Sequence, residues 1–192
     1  MTRRECSRRD VLPHVRLSQE SAARKMDVQK HVPPGESVRN LIMPTTLKIF
    51  VLADTHDKVP ANLETLAAGA DEIWHLGDVC APAILQTIES FGPPVTIVRG
   101  NCDGNPEWPI TVNVKRNGVR FRLVHIPPDD APENVDVVLH GHTHVPRNET
   151  WGGVRFLNPG CVTRPNRGAP PSVAFLEIAA GGDLKWRLTT LR

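Results

Sequence analysis

Leu47-Lys48-Ile49-Phe50-Val51-Leu52-Ala53-Asp54-Thr55-His56 decides how this chain reads. From Leu47 to Ala53 every residue but Lys48 is apolar, and the run has the length of a strand rather than a helix. Such a run marks a strand buried on both faces, as in parallel sheets covered by helices. It stops at a carboxylate and an imidazole two residues apart, Asp54 and His56. In open α/β sheets, sites form at the carboxyl ends of strands.

The same pattern recurs downstream. Pro60 to Gly69 reads as a helix, with Leu63, Leu66 and Ala67 at helical spacing. Glu72 to Leu76 reads as a strand ending at Gly77-Asp78. Pro82 to Phe91 reads as a helix that tolerates Pro82 in its first turn. Val95 to Arg99 reads as a strand ending at Gly100-Asn101. This βαβαβ alternation predicts a parallel sheet. The second half is richer in strands: Ile110 to Lys115, Val119 to His125, Val135 to Leu139, Val154 to Leu157, Val173 to Ile178 and Leu184 to Leu188. Asn117-Gly118 and Gly181-Gly182-Asp183 are hairpin turn signals. The fold class is α/β, with strands dominating the C-terminal half.

Of the 192 residues, 40% are hydrophobic and 23% charged, the usage of an ordinary globular chain. No apolar run approaches the ~18 residues of a membrane span. The formal net charge of +2 argues neither for nor against nucleic acid. The basic excess lies in residues 1–42, which hold nine Lys/Arg against five Asp/Glu. Residues 1–43 are polar, contain Pro33-Pro34-Gly35 and show no sustained apolar period, which predicts a disordered basic extension ahead of a domain over 44–192. The spacing admits a short helix over Ser18 to Lys30. Met43, just before the first strong strand, is a candidate translation start. Without an apolar leader segment or a C-x-x-C pair among Cys6, Cys80, Cys102 and Cys161, a reduced cytoplasmic setting is the expectation.

The polar residues at strand ends carry the chemistry. They are Asp54 and His56, Asp78, Asn101, His125, and His142 and His144. Carboxylate, imidazole and amide oxygen suit Mn, Fe or Zn without any thiolate. Seven candidates exceed the roughly four ligands of one structural zinc and suit two ions sharing a bridge.

Asp54-Thr55-His56, Gly77-Asp78, Gly100-Asn101-Cys102-Asp103, His125 and Gly141-His142-Thr143-His144 resemble the blocks of the calcineurin-like metallophosphoesterases. Arg99 to Asp103 and Asn158-Pro159-Gly160 look most like the small single-domain bacterial and archaeal phosphodiesterase branch. The resemblance implies a layered β-sandwich flanked by helices. It implies two divalent transition metals, Mn first, with Fe, Zn or Ni as alternatives. One ion would be held by Asp54, His56 and His144, the other by Asn101, His125 and His142, with Asp78 bridging. It further implies hydrolysis of phosphate esters, diesters ahead of monoesters, by direct attack of a hydroxide bridging the metals. Asp78 and Asn101 are thus the catalytic candidates, and the partner is a small phosphate-ester substrate rather than nucleic acid.

Two departures stand out. Many members have His after the Asn of the third block, where this chain has Cys102, a weaker proton donor. Asp103 is then a candidate for orienting Asn101 and the turn. His125 is followed by Ile126-Pro127-Pro128 rather than Gly, which predicts a differently shaped substrate mouth. His75 and His140 read as core or supporting residues. Cys80 and Cys161 read as small buried residues, and the four dispersed Trp residues as packing. The rival function is a non-catalytic protein-binding scaffold, a use made of this fold in a retromer subunit. Scaffold members tend to lose metal ligands, and here all seven positions are filled.

Overall fold

The computed structural model describes residues 46–191. The proposed boundary at residue 43 and the helix over Ser18 to Lys30 lie outside them. Among the described residues the order is β1 (Thr46–Leu52), α1 (Leu63–Ala67), β2 (Glu72–His75), α2 (Pro82–Glu89), β3 (Val95–Ile97), β4 (Thr111–Arg116), β5 (Val119–Val124), β6 (Val137–Leu139), β7 (Arg147–Trp151), β8 (Val154–Asn158), β9 (Ser172–Ala179) and β10 (Leu184–Thr190). The strands form two five-stranded sheets, ordered β10-β9-β1-β2-β3 and β4-β5-β6-β8-β7. As the alternation predicts, β1, β2 and β3 are parallel neighbours, with Phe50 opposite Ile73 and Trp74 opposite Thr96.

The period of two along β1 builds the layers. Ile49, Val51 and Ala53 face the second sheet, in one core with Trp74, Phe121, Leu139 and Leu176. Phe50 and Leu52 face the other way, onto Leu63 and Ala67 of α1 and Ile88 of α2. The result is a sandwich of two sheets, with both helices on the outer face of the first. On the outer face of the second sheet, Val124, Val138, Val154 and Phe156 form a smaller core with Ala131. Asn117 and Gly118 make the expected β4–β5 turn, with φ of 45° and 88°.

Two elements differ from the sequence reading. The first helix is only Leu63–Ala67 rather than Pro60 to Gly69. Residues 60–62 form a turn closed by the Leu63 N–H donating to the Pro60 carbonyl (3.0 Å), and Ala68 is already extended at ψ 128°. Strand β7 has no apolar alternation to announce it. Its residues Arg147-Asn148-Glu149-Thr150-Trp151 are almost all exposed, because an edge strand needs only backbone pairing on one side. Gly152 and Gly153, with φ of 57° and 79°, were its one sequence signal, a hairpin turn into β8.

Trp74 is fully buried, lies edge-on to Phe121 at 5.3 Å, and donates its indole N–H to Glu72 (2.9 Å). Trp74→Ala is expected to cost about 3–5 kcal/mol in urea unfolding, the range for large core truncations. Trp151→Ala, on the exposed edge strand, is expected to cost under about 1 kcal/mol. Equal costs would contradict this placement of the core.

Candidate metal centre

The loops leaving the strands converge at one end of the sandwich. Beyond β1 and β2 the backbones stay zipped: the Asp54 N–H donates to the Gly77 carbonyl and the His56 N–H to the Asp78 carbonyl, both at 3.0 Å. The loop after β3 is tied to this pair by Asp103. Its carboxylate accepts the N–H groups of Asp78 (3.0 Å), Cys80 (2.7 Å) and Gly100 (2.6 Å). Such close approach needs glycine. A Cβ at Gly100 would overlap the Asp78 carboxylate, and one at Gly77 would lie 2.7 Å from the His125 ring.

Five of the seven expected residues are in the left-handed region: Asp54 (φ 57°), His56 (42°), Asp78 (57°), His142 (67°) and His144 (58°). Non-glycine residues there cost about 1–3 kcal/mol each and persist where neighbours hold them in place. These turns let side chains near strand ends point to one spot instead of alternating across a sheet.

The structure brings all seven together, in two groups that meet at Asp78. In the first, ligand atoms of Asp54, His56, Asp78 and His144 lie within 4.8 Å of one another. His56 Nε2 and His144 Nε2 are 3.2 Å apart, and His144 Nε2 is 3.3 Å from Asp54 Oδ1. In the second, Asn101 Oδ1 lies 3.0 Å from His125 Nε2 and 2.9 Å from His142 Nδ1. The two Asp78 oxygens divide between the groups: Oδ2 is 3.9 Å from His56 Nε2, and Oδ1 is 3.4 Å from His125 Nε2. Asp54, His56, Asp78 and His125 form a buried floor. Asn101, Cys102 and His142 form an exposed rim.

Ring orientations are set by backbone carbonyls. His125 Nδ1 donates to Leu76 (2.8 Å) and His144 Nδ1 to Arg164 (2.6 Å), which turns each Nε2 into the cluster. Main-chain acceptors have no side-chain signature, so the sequence reading missed them. It also missed the work of Asn158, whose amide donates to the Gly141 carbonyl (2.9 Å) and Thr143 Oγ1 (3.1 Å) and shapes the turn bearing His142 and His144. Asp103 holds the whole turn after β2 as well as the one at Asn101, a wider role than the sequence suggested. His75 and His140 are buried as expected. His75 accepts the Gly77 N–H at Nδ1 (3.2 Å) and donates from Nε2 to Thr55 Oγ1 (3.1 Å). Burial pushes its pKa down to about 3, so it stays neutral. Cys161 is buried, whereas Cys80 is only partly so, and both are free thiols.

The donors fit cations. Both Asp54 oxygens are buried without a hydrogen-bond partner. With Nδ1 protonated, a neutral His125 presents its Nε2 lone pair to the oxygens of Asn101 and Asp78. Acceptors face acceptors, an arrangement that a positive charge between them relieves. Burial raises the Asp54 pKa from the ordinary 3.8 to about 6, with His125 and His144 pulling it back. Burial also disfavours ionisation of Asp78, but without a metal His125 can take a second proton and donate to it, and this bond with that from the Cys102 N–H outweighs burial and holds the carboxyl well below the usual range. His56 and His142 are pushed down, chiefly by burial.

The calcineurin-like phosphoesterase superfamily domain matches residues 47–181. The chain belongs to this superfamily. It is 32% identical over 161 residues to the phosphodiesterase YfcE of Escherichia coli K12, covering 68% of this chain and 88% of the relative. It is 31% identical over 148 residues to a probable metallophosphoesterase of Methanothermobacter thermautotrophicus, covering 68% and 85%. The fold is shared with vacuolar protein sorting 29 from Cryptosporidium parvum, at a TM-score of 0.60, 22% identity, and coverage of 77% and 100%. Membership in this metallophosphoesterase superfamily implies divalent metal ions, and the donor set above fits them.

The raised Asp54 pKa has a measurable sign. With the ordinary value of 3.8 in the unfolded chain, this buried carboxyl costs the metal-free protein stability progressively as pH rises from about 4 to about 6, the full cost holding above that, and costs nothing where it is protonated in both states. Asp54→Asn is therefore expected to stabilise the chelated protein by on the order of 2 kcal/mol at about pH 7.5, with the gain vanishing near about pH 4. The same variant should bind less metal. Urea unfolding at both pH values, with metal analysis, checks this; a gain equal at the two would contradict it.

Proposed function

We propose that the protein hydrolyses phosphodiesters at a two-metal centre, with one ion on Asp54, His56 and His144, the other on Asn101, His125 and His142, and Asp78 shared. The observation that carries this reading is the division of the two Asp78 oxygens between two donor groups. The carboxylate, imidazole and amide donors of the two groups favour Mn, then Fe, Zn or Ni. When bound, such a pair lowers the pKa of water into the neutral range and neutralises charge developing on phosphoryl oxygens.

The chain's own residues supply the rest. Asp78 and the buried histidines fix the floor, so little reorganises during reaction. Asn101 and His142, on the exposed rim, face the side from which substrate arrives. Cys102, also on the rim, is a poor acid: burial, with a further contribution from Asp78, raises its pKa. The leaving group therefore takes its proton from solvent, which favours diesters with good leaving groups. The phosphodiesterase name of the Escherichia coli relative supports the same substrate class.

A cytoplasmic location and a domain beginning near residue 44 belong to this proposal too. The free thiols support the former. Among the described residues no helix is long and apolar enough to cross a membrane.

The expected result is Mn²⁺-stimulated hydrolysis of bis(p-nitrophenyl) phosphate, lost to background in Asp78→Ala and retained at the same order in Cys102→Ser. A fully metal-loaded wild type that turns over neither this diester nor p-nitrophenyl phosphate would favour the non-catalytic scaffold instead. Loss of activity in Cys102→Ser would show that the thiol has a direct role.

A further inference from the structure

The β4–β5 hairpin ends beside the candidate metal centre, and its end is unusually apolar. The antiparallel register that pairs Thr111 with Val124 brings Ile110, just before β4, near Ile126, just after β5. These are the two most exposed large hydrophobic side chains among the described residues, at 62% and 55%. Both line a cavity of about 340 Å³ together with Val124, Arg99, Asn101 and His125. The cavity is therefore continuous with the donor group of Asn101 and His125. On the His142 side lies a different cavity, of about 590 Å³, lined by Arg147, Glu149, Asn166 and Arg167. The two exposed isoleucines belong to the first cavity alone.

We infer that the cavity between Ile110 and Ile126 binds an aromatic ester arm of the phosphodiester while the phosphate sits at the metal centre. Apolar side chains left in water at a cavity that opens on polar donors are the pattern of a small-molecule subsite. A volume near the low end of the ~300–1,000 Å³ range for such pockets fits one ring system rather than a long chain. Arg99 favours an aromatic ring over an alkyl group. Its guanidinium is fixed by donating to the Pro106 carbonyl (3.2 Å), and a planar cation beside an apolar wall stacks on π-faces. Ile110 and Ile126 would then determine specificity without touching the reacting atoms.

This inference rests on the phosphodiesterase reading, and a binding measurement separates the two. Titration calorimetry of the Mn²⁺-loaded protein compares diphenyl phosphate with dimethyl phosphate, which share the phosphate and differ in the arms. The wild type is expected to bind the diphenyl ester at least about tenfold more tightly, the low end of what apolar pocket contacts provide. Ile110→Ser and Ile126→Ser should each remove most of that preference. Leu188→Ser, at another exposed apolar site, on the other sheet, should keep it. Equal affinity for the two esters, no binding of either, or a preference unchanged in both isoleucine variants would overturn the inference. The expected binding pattern without turnover of bis(p-nitrophenyl) phosphate would support the subsite and contradict the hydrolase.

Discussion

The carboxylate of Asp103 holds together what the rest of the site depends on. It accepts three main-chain N–H groups from two different loops and pins the turn after β2 against the turn after β3. With those turns pinned, Asp78 and Asn101 have fixed positions, and the close packing of Gly100 on Asp78 follows. Each of these N–H groups would otherwise lose its partner in a partly buried place, at about 1–3 kcal/mol apiece. The clamp therefore serves stability and site geometry at once.

Around that clamp the protein gathers groups that repel one another without a cation. Asp54 is buried with both oxygens unpaired and is repelled by the charge of Asp78. Left-handed backbone at five of the seven positions adds further cost. A fold that concentrates strain and unpaired acceptors at one end of a well-packed sandwich trades stability for a preorganised site. The core between the two sheets, with Trp74 at its centre, offsets that loss.

Most of the fold was legible because its signals are local. The apolar run from Leu47 to Ala53 and the Asn117-Gly118 turn report burial and chain reversal within a few residues. Strand β7 was not legible, because edge pairing asks nothing of side chains. The first helix was overestimated because Leu63, Leu66 and Ala67 keep helical spacing while the turn at Pro60 consumes the residues ahead of them. At the site, all seven converging side chains were visible at strand ends. His125, despite the unusual Ile126 that follows it, lies on the buried floor between Asn101 and Asp78. What sequence could not convey was the set of main-chain carbonyls orienting the rings, and the reach of Asp103 across two loops.

The central claim is that Asp78 is shared by two metal ions. Anomalous diffraction from crystals of the Mn²⁺-loaded protein tests it most directly. The account predicts two ions, one in the group of Asp54, His56 and His144, the other in the group of Asn101, His125 and His142, each in contact with one Asp78 oxygen. A single ion, or two ions that leave Asp78 uncoordinated, would contradict it.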